Sequence, residues 1–370
     1  MKFSCSQPQL MYGIQHIQKA ISNRNTLPVL LGICIKAADQ ILTLTATDLE
    51  LAIECRIPAE IQEEGEIVLP GKYFSDIIRN LPGAMIDFGL NPMTLVMKIK
   101  SGRSEFNLHG LSAEEFPGIP NFPEDQIFSL PTDILKKSIQ QTQFAISHDD
   151  SRPVFTGLLV EYKKPYLSMV STDGYRLAVK ESLIEMNYPL LPMIIPGKTM
   201  LEIQRILSSR NETSIEIGTS GNQIFFRLPD AMIVSRLIEG QFPQYQQIIP
   251  KDQRLTLEID RNAFLSALER ASLITKDGPN IVRLTITKDE RLTITATSPE
   301  VGDTYDEISI PQQDISFTIA FNVKYLTDVL KVMESEKVLF SLTEPLKPGV
   351  IVPDGEEHYK YIVLPVRISG

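Results

Sequence analysis

Three stretches of this chain recur at a fixed interval. Residues 41–48 read ILTLTATD, 166–173 read YLSMVSTD and 291–298 read RLTITATS, which places Thr47, Thr172 and Thr297 125 residues apart. In the first and third copies apolar residues alternate strictly with threonine, as in Leu42, Leu44 and Ala46 against Thr43, Thr45 and Thr47. A period of two predicts a strand with one buried face. A second element recurs downstream: VLPGKYFSDIIRNL, IIPGKTMLEIQRIL and IAFNVKYLTDVLKV align on Lys72, Lys198 and Lys324, spaced 126 residues. Phe74, Ile77, Ile78 and Leu81 fall at helical spacing, so the plain reading is strand, tight turn, amphipathic helix. A third element opens each copy with a helical pattern, and Thr132 and Asp260 stand as its N-caps in the second and third.

Self-similarity at a fixed period outranks other signals in deciding an architecture. The chain of 370 residues therefore divides into three units, 1–124, 125–250 and 251–370, with boundaries in the proline-rich passages FPGIPNFPED and FPQYQQIIPKD. Each unit carries two helices and many short strands. Dense turn signals suit antiparallel sheet, so the expected class is α+β.

The formal net charge is −10, which by itself argues against a nucleic-acid partner. The charge is partitioned, however. The six expected helices, 7–24, 71–80, 132–148, 197–210, 260–276 and 322–334, hold 14 Lys and Arg against 7 Asp and Glu, leaving 22 against 39 elsewhere. If the helices share a face, that face attracts phosphate while the remainder repels it. The bland reading is that Lys and Arg are good helix formers on solvated faces. Glu is an equally good one, yet it is scarce in these helices. No base-reading motif accompanies the charge, so what remains is phosphate attraction without sequence preference.

Signs of catalysis are lacking. Gly197-Lys198-Thr199 ends like a phosphate-binding loop, but Pro192 stands where that motif needs glycine. Gly71-Lys72 is followed by Tyr73 instead of Ser or Thr. His16, His109, His148 and His358 are scattered without metal-ligand spacing and read as surface residues. Asp173, close to Arg176, reads as a salt-bridged turn and not as a general base. No cofactor or metal is expected. Cys5, Cys34 and Cys55 lack CxxC spacing and read as reduced, mostly buried thiols of a cytoplasmic protein. The longest apolar run, Leu27 to Ile35, falls far short of the ~20 residues of a spanning helix.

RNTLPVL (24–30), RPVFTG (152–157), STDGYRLAV (171–179), QFPQYQQIIP (241–250), FNVKYLTDVL (321–330) and YIVLPVRI (361–368) resemble, in register and over the full length, the bacterial DNA polymerase III beta subunit family, the sliding clamps. The resemblance implies a non-catalytic processivity factor: two protomers close head to tail into a ring around duplex DNA, with helices inside and sheets outside. Its implied partners are double-stranded DNA, the replicative polymerase, the clamp loader, and other polymerases and repair proteins carrying short clamp-binding motifs; no membrane is implied.

Three residue sets carry over by resemblance. The partner-peptide pocket comprises Phe155, Thr172, Gly174, Tyr175, Arg176, Leu177, Pro243, Ile248, Asn322, Tyr325, Val363, Leu364, Pro365, Val366 and Arg367. On the DNA side Arg24 matches a family contact, and His148, Arg152 and Lys198 are placed on the inner face; Lys72 and Lys324 join them through the repeat. At the subunit contact Phe106 and Leu108 should meet Leu273 and Ile274, with Arg103 pairing with an acid near Glu300. Tyr175 departs from the usual His, Leu364 and Val366 from a Met pair, and Ser369 and Gly370 run past the usual end. Two other function classes remain: a DNA-independent scaffold of the same fold, and an enzyme without a known motif.

Overall fold

The computed structural model describes residues 1–22, 26–82, 85–186, 190–250, 254–276 and 278–367. It contains six α-helices: α1 Gln7–Ile17, α2 Gly71–Asn80, α3 Thr132–Thr142, α4 Gly197–Ser208, α5 Arg261–Thr275 and α6 Val323–Val332. These fall within a few residues of the expected spans. The sequence overran at α1 and α3, where the helix tightens into a 3-10 turn over Gln18–Ala20 and Gln143–Ala145.

The described residues group into two compact units, one of Met1–Thr132 with Arg205–Leu237, the other of Asp133–Gln204 with Ile238–Gly370. Each joins parts of two sequence repeats through one eight-stranded antiparallel sheet. In the first unit that sheet runs Ile127–Pro131, Ser214–Ser220, Gln223–Leu228, Ala231–Arg236, Leu51–Pro58, Ile41–Thr47, Gly32–Ala38, Gly65–Pro70. The seam pairs Ser235 with Leu51 and Ile233 with Ile53. In the second unit the order is Met193–Pro196, Gly157–Lys163, Tyr166–Thr172, Arg176–Leu183, Tyr359–Val363, Gly349–Pro353, Lys337–Leu342, Leu255–Asp260, and the seam pairs Arg176 with Val363 and Leu177 with Ile362. A smaller sheet completes each unit. In the first it has five strands and ends on the edge strand Ser104–His109; in the second it has four and ends on the edge strand Gly302–Ser309.

The recurring segments are all strands, and their burial follows their patterns. Leu42, Leu44 and Ala46 are buried while Thr43 and Thr45 are only half-buried, as one covered face requires. The middle copy, whose alternation is weaker, is buried on both faces after its first residue. Val170 there packs with Phe242 and Tyr245, from the closing stretch of the same repeat. A strand covered on both sides has no reason to alternate.

Two local expectations need correction. Gly71 and Gly197 open their helices directly after a strand, with no intervening turn. A Cβ at Gly71 would lie 2.8 Å from the Ile21 side chain, and one at Gly197 2.7 Å from Ile146, so close packing fixes glycine there. Thr132 is the first helical residue of α3, and its hydroxyl donates to the Glu212 carbonyl at 2.5 Å instead of capping. Asp260 does cap: its carboxylate accepts the Ala263 N–H at 2.7 Å.

Candidate functional site

The residues expected to receive a peptide all lie in the second unit, and Thr172, Gly174, Tyr175, Arg176 and Leu177 share one tight turn. Between strands Tyr166–Thr172 and Arg176–Leu183 the Thr172 hydroxyl accepts the Gly174 N–H (3.1 Å) and donates to the Arg176 carbonyl (2.6 Å). The Asp173 carboxylate accepts the N–H groups of Tyr175 (2.9 Å) and Arg176 (3.0 Å). Gly174 has φ +91°, a conformation that glycine adopts without steric cost. The turn thus presents Tyr175, which is well exposed, at its tip.

The same turn anchors the C-terminal segment. After pairing along Tyr359–Val363 the chain continues, and the Leu364 N–H donates to the Tyr175 carbonyl (2.9 Å). Two residues later the Val366 N–H donates to the Ala320 carbonyl (2.8 Å). Leu364, Pro365 and Val366 are half-buried in this crossing. On one side of it Leu177 and Ile362 form a floor with Phe242 and Tyr245, and Phe155 meets Phe242 edge-on at 6.5 Å. Pro243 is half-buried and Ile248 exposed on the same stretch. On the other, Thr318, Ile319, Ala320, Pro345, Leu346, Val366 and Arg367 line a recess of about 420 Å³.

Several expected pocket residues are placed otherwise. Side chains alternate along a strand, so Val363 lies on the face opposite Leu177 and joins the core with Phe264, Phe321 and Tyr361. Ile362, which sequence reasoning passed over, holds the floor position. Arg176 is only 8% exposed. It donates to Asp173 (2.9 Å) and Asp328 (2.7 Å), and its guanidinium lies 4.5 Å from the centre of the Tyr325 ring. Its ionic capacity is spent within the protein. The Asn322 side chain accepts the Lys324 N–H and so caps α6. Pro345 and Leu346, which line the recess beside Val366, belong to a passage with no counterpart in the repeated motifs.

The basic residues follow the repeat. Lys72, Lys198 and Lys324 are each the second residue of their helix, and all three are exposed. A cation at a helix N-terminus opposes the macrodipole, so helix stability does not account for the recurrence. Lys324 is held by Asp328 at 3.0 Å, and among the described residues Lys72 has no ion pair. His148 and Arg152 are exposed in the connection after α3. Arg24, Ser369 and Gly370 lie outside the described residues. At the expected subunit contact, Phe106 and Leu108 lie on the edge strand of the first unit, with Arg103 in the turn before it. Leu273 and Ile274 are in the last turn of α5, and Glu300 is in the turn leading to the edge strand of the second unit.

His16 departs from the expected surface position. It is buried in the first unit, where its Nδ1 meets the Tyr12 carbonyl (2.7 Å) and its Nε2 accepts from Arg210 Nε (3.3 Å). Arg210 also pairs with Asp230 (2.5 Å) and Glu212 (3.1 Å). Burial and the facing cations lower the His16 pKa. The three cysteines are free, and burial pushes their thiols up to about 11 for Cys5 and about 12 for Cys34 and Cys55, which leaves them weakly nucleophilic. Among the described residues no cluster of His, Cys, Asp or Glu is placed to hold a metal ion, and no helix is long and apolar enough to cross a membrane.

A threefold α+β repeat, with cations in register and an apolar cleft beside its C-terminal segment, describes a DNA-clamp fold. The chain belongs to the DNA polymerase III beta subunit family: models of that subunit's N-terminal, central and C-terminal domains match residues 1–120, 129–244 and 246–367. It is similar to the beta sliding clamp of Bacillus subtilis, 34% identical over 99% of this chain and 100% of that one. The beta sliding clamp of Staphylococcus aureus is 35% identical over 99% of each chain. Among solved structures, the DNA polymerase sliding clamp from Bacillus subtilis superposes with a TM-score of 0.94 at 33% identity, covering both chains fully. The DNA polymerase III beta subunit from Thermotoga maritima gives 0.92 at 27% identity, again over both full chains. The family is that of the replication sliding clamp, a non-catalytic accessory subunit of DNA polymerase III.

Proposed function

We propose that two copies of this chain close into a ring around duplex DNA and tether the replicative polymerase to it, in the cytoplasm, without sequence preference. A clamp loader and other polymerases and repair proteins would share the cleft beside Leu177, Ile362 and Leu364. The observation that carries the DNA reading is the recurrence of one exposed lysine at the same helical position in three repeats of a chain whose net charge is −10. Lysines recurring in this way attract phosphate weakly and without reading bases, which suits sliding.

Ring closure rests on two of the sheet edges, Ser104–His109 and Gly302–Ser309. A head-to-tail contact between unlike edges must either close or grow into a filament. The strand Ser104–His109 presents Phe106, with Arg103 in the turn before it; the strand Gly302–Ser309 carries Asp303, with Asp306 and Glu307 held by Arg270 and Arg291 of the same chain, and α5 exposes Leu273 beside it. Apolar and charge complementarity favour pairing these two edges over pairing like with like.

The test is retention on a nicked DNA circle after loading by a cognate clamp loader. Washing in high salt removes the electrostatic contribution. The protein should stay on the circle and leave once the circle is cut. Release in salt before cutting, with the loader active on a control clamp, would exclude topological linkage.

A further inference from the structure

The first unit contains a second cleft built on the same plan as the one beside Leu177, 125 residues earlier in the chain. Its turn repeats the same hydrogen bonds: the Thr47 hydroxyl donates to the Leu51 carbonyl (3.1 Å) and accepts the Leu49 N–H (3.0 Å). The Asp48 carboxylate accepts the N–H groups of Glu50 (3.1 Å) and Leu51 (2.8 Å). Leu49 takes the place of Gly174 with φ +79°, in the left-handed region that a leucine rarely enters. The strand beyond the seam is anchored in the same way, with the Arg236 N–H donating to the Glu50 carbonyl (2.9 Å) where Leu364 donates to Tyr175. Ala52 pairs with Val234 where Leu177 pairs with Ile362, and Pro117 to Pro120 line the same recess.

These residues enclose an open recess of about 190 Å³. That is below the ~300–1,000 Å³ of pockets that bury a drug-sized ligand, so it admits one or two aliphatic side chains. Its lips differ from those of the other cleft. Glu50 and Arg236 replace Tyr175 and Leu364; both are exposed, and neither has an ion-pair partner among the described residues. The recess therefore offers an apolar floor and, at one end of it, a carboxylate and a guanidinium facing each other across the seam.

We propose that this recess is a second peptide-docking site, which takes an extended segment carrying one aliphatic side chain flanked by a basic and an acidic residue. The apolar side chain would rest on Ala52 and Val234, the base would face Glu50 and the acid Arg236. The proposal rests on reading the cleft beside Leu177 as a peptide site, because the shared backbone plan is what connects the two.

The test uses the full chain and the capped tripeptides Lys-photoleucine-Asp, Lys-photoleucine-Lys and Asp-photoleucine-Asp, with cross-links mapped by mass spectrometry. The mixed-charge peptide should label Leu49, Ala52 or Val234. Glu50→Lys should shift labelling there toward the diacidic peptide, and Arg236→Glu toward the dibasic one, each by roughly threefold or more. Both substitutions are at exposed side chains and leave the floor intact. Absence of label at these residues, or label indifferent to both charge changes, would overturn the proposal. Label only beside Leu177 and Ile362 would sink this site and leave the other standing; label at Ala52 with none beside Leu177 would do the reverse.

Discussion

Leu273→Ala tests the proposed ring most directly. The side chain stands 71% exposed at the end of α5, so within one chain it contributes little to the core and its loss should not lower the protomer's stability. Full burial of a leucine is worth about 1.5–3 kcal/mol, and scaling by the surface available gives roughly 1–2 kcal/mol for one subunit contact. A head-to-tail ring of two has two identical contacts, so a single substitution counts twice, about 2–4 kcal/mol. At 1.4 kcal/mol per decade the dimer dissociation constant should rise roughly 30- to 1,000-fold. Sedimentation equilibrium over a wide concentration range measures it. Leu183→Ala, at a leucine 65% exposed but on neither sheet edge, is the control and should leave the constant unchanged. A shift of less than about threefold for Leu273→Ala, or an equal shift for Leu183→Ala, would refute this edge as the subunit contact.

Other outcomes follow from the same structure. Arg176→Ala strands Asp173 and Asp328 beside a cavity and should cost about 3–5 kcal/mol in urea unfolding, with Arg176→Met recovering part of it; a cost under about 1 kcal/mol would mean the ion pairs contribute little. Deleting Leu364 to Gly370 should abolish binding of a polymerase-derived peptide in fluorescence anisotropy while the dimer persists, and unchanged affinity would place the peptide elsewhere. His16 has a lowered folded-state pKa from burial and from Arg210 and Arg205. The unfolded chain therefore binds more protons between that value and the ordinary 6.5, and stability should fall as pH drops below 6.5. His16→Gln should lose that component of the melting profile; identical slopes between pH ~5 and ~7 in both proteins would show that the histidine is not responsible.

Much of the architecture was legible because repetition and periodicity are properties of sequence. Three copies in register give three equivalent strands and helices whatever surrounds them, and the alternation of Leu42, Leu44 and Ala46 already says which face is covered. The lysines at 72, 198 and 324 needed only counting. Even the turn at Thr172 to Arg176 was readable, since Asp173 and Arg176 lie three residues apart.

What pairs across the repeats was not legible. A strand's alternation shows that Val363 and Ile362 point opposite ways, but not which of them shares a face with Leu177; only the pairing of Leu177 with Ile362 decides that. The middle copy looked like a weaker version of its neighbours until Phe242 and Tyr245 were seen to cover its second face. His16 seemed an ordinary surface residue because Arg210 and Asp230, which bury it, are far off in the chain. The recess at Ala52 and Val234 was hidden for the same reason. Local pattern fixes the elements, because propensity and period act over a few residues. Sites made where distant strands meet depend on tertiary pairing, which no single stretch of sequence encodes.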